Sequence, residues 1–256
     1  MKTTQLLTAL LLSLAGLVQA QNTTYWIGNN DNSLTATGTQ AQNYQNGGWK
    51  DMSTYELLTN SNLNTNPNQI SAASFFGGDR AITFYGFNSI SGFTAAQVLS
   101  ASIYGNINEV NWLNQSIGTT VTATIRGLST SQVNFSEGTA TWANLNDTHL
   151  TTNYGNFIID RDIANGSWFA VDVTSALQDY LNGTIGGIAF TIDTLGESFE
   201  GSDIMIQFQS QENATASLRP GMMVNVAPVP EPSGALLGGI AGMMALLRRR
   251  RATPQS

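Results

Sequence analysis

The chain has 256 residues, no cysteine, one histidine and a formal net charge of −7. Without cysteine there are no disulfides, no thiolate nucleophile and no Cys-type zinc site. Residues 1–20 carry +1 and residues 231–256 carry +3, leaving −11 on a body whose only basic residues are Lys50, Arg80, Arg126, Arg161 and Arg219, a balance that repels phosphate backbones and excludes nucleic acid as a partner.

Residues 1–20 hold one charge, Lys2, then an apolar stretch from Leu6 to Val18 interrupted only by Thr8 and Ser13. Val18-Gln19-Ala20 then supplies small residues where a signal peptidase reads, so this segment is predicted to be a secretory signal peptide cleaved after Ala20. Residues 21–227 form the predicted domain. Its first part, 28–74, is dense in Asn, Thr, Gln and Gly and reads as an early strand or two joined by long surface loops. From there the period is two. Strands are predicted over 81–87, 98–104, 121–128, 168–171, 185–192, 204–208 and 222–226, all rich in β-branched or aromatic residues and punctuated by Gly, Asn, Ser or Asp. One helix interrupts them: Thr174 is placed to cap it, Ala176, Leu177, Tyr180 and Leu181 form its apolar stripe, and Asn182-Gly183 ends it. Many short strands with one helix predict an all-β sandwich.

Residues 228–256 form a third segment. Pro230-Glu231-Pro232 stops any helix, because each proline removes a donor and fixes φ. An apolar run from Ala235 to Leu247 follows, about 13 residues against the ~20 that span a bilayer, and then the cluster Arg248, Arg249, Arg250 and Arg251, which would stop on the cytoplasmic face. In order and position this resembles the PEP-CTERM sorting signal, which exosortases of Gram-negative bacteria recognise and process. The resemblance implies an exported protein, a transient inner-membrane anchor, signal peptidase and exosortase as processing partners, and a final place in the cell envelope or extracellular matrix.

A second resemblance rests on three segments. They are Phe135-Ser136-Glu137-Gly138-Thr139-Ala140-Thr141-Trp142; Trp168-Phe169-Ala170-Val171-Asp172-Val173-Thr174, running on through Tyr180-Leu181-Asn182-Gly183 to Gly187-Ile188-Ala189-Phe190; and Phe208-Gln209-Ser210-Gln211-Glu212 with Leu218-Arg219-Pro220. Together they look like the DNRLRE type of domain, a carbohydrate-binding-module-like β-jelly-roll of secreted proteins. Gln211 stands where that family commonly has an arginine or other polar residue. Some relatives bind acidic polysaccharides such as alginate through basic residues, and the five cations of this body predict weak binding or none.

Trp142 and Trp168 are expected in the sandwich core, Asp172 at the helix N-terminus, and Arg219 bridging Glu212 or nearby carbonyls. A glycosidase needs two carboxylates about 5–10 Å apart across a cleft. Asp160 with Asp162, and Glu197 with Glu200 and Asp203, do not stand out among sixteen acids in the body, and a single His149 supports neither a metal hydrolase nor a triad. The prediction is therefore no catalysis and no catalytic residues, with a secreted polysaccharide-degrading enzyme as the least favoured reading. Calcium is the one candidate cofactor, with Asp31, Asp160, Asp162 and Asp203 as its candidate ligands, although no EF-hand spacing occurs. Two functions of different class follow: a structural or adhesive component of the envelope or polysaccharide matrix, or a carbohydrate-binding module with Trp26, Trp49 and Trp112 as sugar platforms.

Overall fold

Side-chain alternation decides most of the architecture. The computed structural model describes residues 21–28, 43–45, 49–56, 60, 69–74, 80–112, 120–160, 162–192 and 204–228. In chain order these hold β1 (Thr23–Gly28), β2 (Asn43–Gln45), β3 (Trp49–Tyr55), β4 (Gln69–Ser74), β5 (Arg80–Phe87), β6 (Val98–Trp112), β7 (Thr120–Leu128), β8 (Leu150–Asp160), β9 (Trp168–Asp172), α1 (Thr174–Leu181), β10 (Gly187–Thr191), β11 (Ile204–Gln209) and β12 (Gly221–Val226). Thr23–Val226 forms one compact unit.

The strands build two antiparallel sheets, apart from the short parallel pair β1–β2. The first sheet runs β2–β1–β12–β6–β9 and the second β6–β11–β4–β5–β10–β7–β8. Strand β6 belongs to both: residues 98–104 pair with β12, and residues 107–112 pair with β11. Strand β3 lies on the far side of β5 from β10, since Tyr85 faces both Asp51 and Ile188 across its two ladders. The first and last strands are neighbours, with Thr23 opposite Val226.

Every residue of β5 after Arg80 is buried, as expected for a strand covered on both faces. Tyr85 and Phe87 meet Trp49, Phe190, Phe208 and Ile103 between the sheets, with the Tyr85 and Phe190 rings edge-on at 5.0 Å. Ile82 and Phe84 point the other way, onto Met52, Leu128, Phe135, Trp142 and Leu145. That second cluster is roofed by the irregular segment 129–149. The roof sits close: a Cβ on Gly86 would lie 2.6 Å from the Phe135 ring, so only glycine admits it.

The all-β expectation holds as two sheets with one α-helix among the described residues. All seven predicted strands are present, and β6 runs eight residues beyond its predicted end. Residues 28–74 differ from expectation. They contribute β2, β3 and β4 as well as the end of β1. Strand β8 also went unpredicted, because most of its residues are exposed and Thr, Asn and Gly fill both of its faces.

The helix α1 occupies its predicted place, with a corrected start. Thr174 is its first residue and Val173 the N-cap, whose aliphatic side chain makes no capping hydrogen bond. Asp172 fills the role expected of it, accepting from the Thr174 amide at 2.8 Å and the Thr174 hydroxyl at 2.6 Å. At the other end Gly183 adopts φ +73°. The Gly183 amide donates to the Tyr180 carbonyl and the Thr184 amide to Asp179, the paired bonds of a Schellman stop. No helix among the described residues is long and apolar enough to cross a membrane. The predicted signal peptide, Pro230, Glu231, Pro232 and the cluster Arg248, Arg249, Arg250 and Arg251 all lie outside the described residues.

Candidate metal centre

Three carboxylates converge where the free edge of β3 meets two turns. Asp51 comes from β3, Glu137 from the roof segment, and Glu212 from the turn after β11. One oxygen from each lies within 4.8 Å of the others. Alternation along β3 sends Trp49 and Asp51 inward, while Lys50 and Met52 point to the roof. The roof fastens to this edge at several points. The Asp51 amide donates to Glu137 Oε1 at 2.8 Å, the Lys50 ammonium to the Phe135 carbonyl at 3.2 Å, and the Thr54 hydroxyl to the Leu145 carbonyl at 2.8 Å. The outer edge of β3 is thereby covered rather than left open.

Asp51 is 0% exposed and is held by fixed donors. The Trp49 indole N–H donates to its Oδ2 at 2.9 Å, and the Gln211 amide reaches the same oxygen at 3.0 Å. The Gln211 side-chain amide donates to Glu137 Oε1. Glu212 is half-buried, and its Oε2 is enclosed with no hydrogen-bond partner among the described residues. Tyr85 is the residue directly opposite Asp51 on β5; it is 0% exposed and its hydroxyl also lacks a partner among the described residues.

The electrostatics follow from this crowding. Burial raises the Asp51 carboxyl well above its ordinary range, Glu212 and Glu137 push it further, and the Trp49 and Gln211 donors only partly offset them. Burial also carries Glu137 to about 7, with Glu212 adding to the rise while the donors and Lys50 oppose it. The Tyr85 hydroxyl is likewise raised, by burial and then by the Asp51 charge. Three acids with one nearby ammonium, in an all-oxygen donor set lacking His and Cys, make a site suited to a hard divalent cation rather than to a transition metal.

The predicted site residues fall elsewhere. Trp26 is 1% exposed and Trp49 2%, so neither presents a ring face to a sugar. Trp26 packs with Tyr104 and Met223, and Trp49 packs on Tyr85 and Phe87. Both positions are corrected to core. The Trp112 side chain lies outside the described residues, as do Asp31 and Asp203. Asp160 and Asp162 are exposed, and Asp160 Oδ1 accepts from the Asp162 amide at 3.0 Å. That bond makes a local turn, and among the described residues no third acid joins them. Trp142 is buried as expected and Trp168 half-buried. Arg219 bonds a nearby carbonyl, its Nε donating to Asn213 at 2.7 Å. His149 caps the turn beneath it, with Nδ1 accepting from the Asn146 amide at 3.3 Å.

Asp51 is the residue that sequence reasoning missed. Its signal was the alternation Trp49, Asp51, Ser53, Tyr55 against Lys50, Met52, Thr54, obscured by the polar surroundings of 28–74. Glu137 and Glu212 each stood in a noted motif, but nothing in sequence joined them. No family model and no curated protein sequence matches this chain.

Proposed function

We propose that this protein is an exported, non-catalytic β-jelly-roll component of the cell envelope or extracellular polysaccharide matrix. In this reading residues 1–20 direct export, 21–227 form a DNRLRE-like body, and 228–256 act as a PEP-CTERM-type tag that an exosortase processes after transient anchoring in the inner membrane. One observation carries the non-catalytic part. Among the described residues the acids that gather, Asp51, Glu137 and Glu212, lie in the wall of the sandwich, and Asp51 is fully buried there with its Oδ2 already accepting two hydrogen bonds. General acid–base work on a polymer needs its carboxyls across an open cleft. The acidic, cysteine-free body suits a soluble exported module held together by its core. Changing Arg248, Arg249, Arg250 and Arg251 to serine tests the sorting. Cell fractionation should find the variant folded but retained in the wrong fraction, and normal placement would overturn the tag.

A groove of about 250 Å³ between β8 and the start of α1 favours a second reading, carbohydrate binding. Tyr154, Asn156, Asp172, Thr174 and Ser175 line it, giving one aromatic face and several hydrogen-bonding groups. The Tyr154 hydroxyl donates to Asp179 Oδ2 at 2.6 Å, which holds the ring in place. Glycan-array binding that disappears in Tyr154→Ala would make this reading the primary one. Tight binding to alginate would contradict the charge argument.

A further inference from the structure

We propose that Asp51, Glu137 and Glu212 form a structural calcium site that pins the roof segment and the turn after β11 to the edge of β3. Three observations bear on this site. The first is the convergence of three carboxylates from chain positions far apart, with one oxygen of each within 4.8 Å of the others. Calcium–oxygen bonds of about 2.3–2.6 Å place oxygens on opposite sides of one ion roughly 4.6–5.2 Å apart, so this set closes around a single ion.

The second observation is the Tyr85 hydroxyl. It comes from a fully buried side chain directly opposite Asp51 across the β3–β5 ladder, and it has no hydrogen-bond partner among the described residues. A buried hydroxyl without a partner is costly. A water molecule carried by an ion at the carboxylates would satisfy it. The third is Glu212 Oε2, enclosed and equally without a partner.

The remaining lone pairs suit an ion. Trp49 and the Gln211 amide fill Asp51 Oδ2, and the Asp51 amide and Gln211 side chain fill Glu137 Oε1. Asp51 Oδ1, which takes only a 3.3 Å bond from the Gln211 amide, and Glu212 Oε2 keep acceptor directions for an ion. The three carboxylates supply three or four of the six to eight oxygens that calcium takes, the larger count with Glu212 bidentate, and water completes the shell. The charge balance agrees. Three carboxylates crowded beside the Lys50 ammonium in a poorly solvated place repel one another when ionised, and a divalent ion cancels most of that repulsion. Glu137 and Glu212 are only half-buried, which gives the ion its way in. Each ligand comes from a different piece of the fold: an edge strand, the roof and a turn. An ion here would act as a clamp.

The test uses the full chain, freed of metal with EDTA, dialysed and titrated with calcium chloride in a calorimeter, with thermal melts run in parallel. The expected result is one ion per chain with Kd about 10⁻⁴–10⁻³ M, the range of extracellular modules, and a Tm higher by about 5 °C at saturating calcium. Glu212→Gln keeps size and hydrogen-bonding capacity, so it should fold, weaken binding at least about tenfold and lose the Tm response. Terbium supplies a second readout. Trp49 touches Asp51 through its indole, so terbium in the site should emit on tryptophan excitation, and excess calcium should quench it. The site is overturned by no heat and no Tm change, by an equal response in Glu212→Gln, or by an equal response to sodium at matched ionic strength. The proposal does not depend on where the protein is sorted.

Discussion

Glu137→Gln isolates the electrostatic state of the carboxylate trio in the absence of metal. In the fold the Glu137 carboxyl is carried from 4.5 to about 7. A carboxyl raised on folding contributes stability that is full below its unfolded value near 4.5 and is lost as pH climbs through about 7. At 1.36 kcal/mol per pH unit the ceiling is about 3.4 kcal/mol. Glu137 is only half-buried, and screening by water brings the expected loss to about 1–1.5 kcal/mol. Asp51 shifts in the same direction and steepens the fall. Glutamine preserves the Oε1 acceptor used by the Asp51 amide and the Gln211 side chain but carries no charge at any pH. In EDTA, denaturant melts should therefore show the parent losing stability between pH 5 and pH 8, and the variant losing about 1 kcal/mol less. At pH 8 the variant should be the more stable of the two. With saturating calcium the order should reverse. A parent whose stability is flat or rising from pH 5 to 8 in EDTA would refute the reasoning.

Trp49→Phe keeps the packing on Tyr85 and Phe87 but removes the indole donor to Asp51, and should cost about 1–3 kcal/mol in urea melts at neutral pH. Gly86→Ala forces the Phe135 ring away and the roof with it; a loss of about 1–3 kcal/mol is expected, with hydrogen exchange rising across 129–149. Gly183→Ala strains the left-handed residue that ends α1, for a loss of about 1 kcal/mol by the same melts. That last change should leave calcium binding untouched.

Strands with an apolar face were legible because packing against a second sheet imposes alternation. Residues 121–128 and 222–226 show it, while 81–87, covered on both faces, reads as a nearly continuous apolar run. Strand β8 was not, since its exposed Thr, Asn and Gly carry no such pattern, and its pairing is dictated by the neighbouring β7 rather than by its own residues. Strand β3 hid for a different reason: its inward face is polar, with Asp51 and Ser53 where a core strand would place aliphatics. The helix stop was readable in Asn182-Gly183 because only glycine suits that backbone. Its start was not, because Asp172 provides the capping oxygen from one residue before the N-cap. The trio itself was beyond reading from sequence, since its members are separated by 86 and 75 positions and only the folded sheet, roof and turn bring them together.

The pairing of Thr23 with Val226 has a mechanical consequence. The polypeptide enters and leaves the body side by side at one corner, so tension between its two tails would unzip β1 from β12 one rung at a time, a weak mode. Tension on a single tail, with the opposite rim gripped, would instead have to slide β12 lengthwise between β1 and β6, breaking both ladders together. A body suspended by one tail thus resists stretching far better than one threaded into a chain.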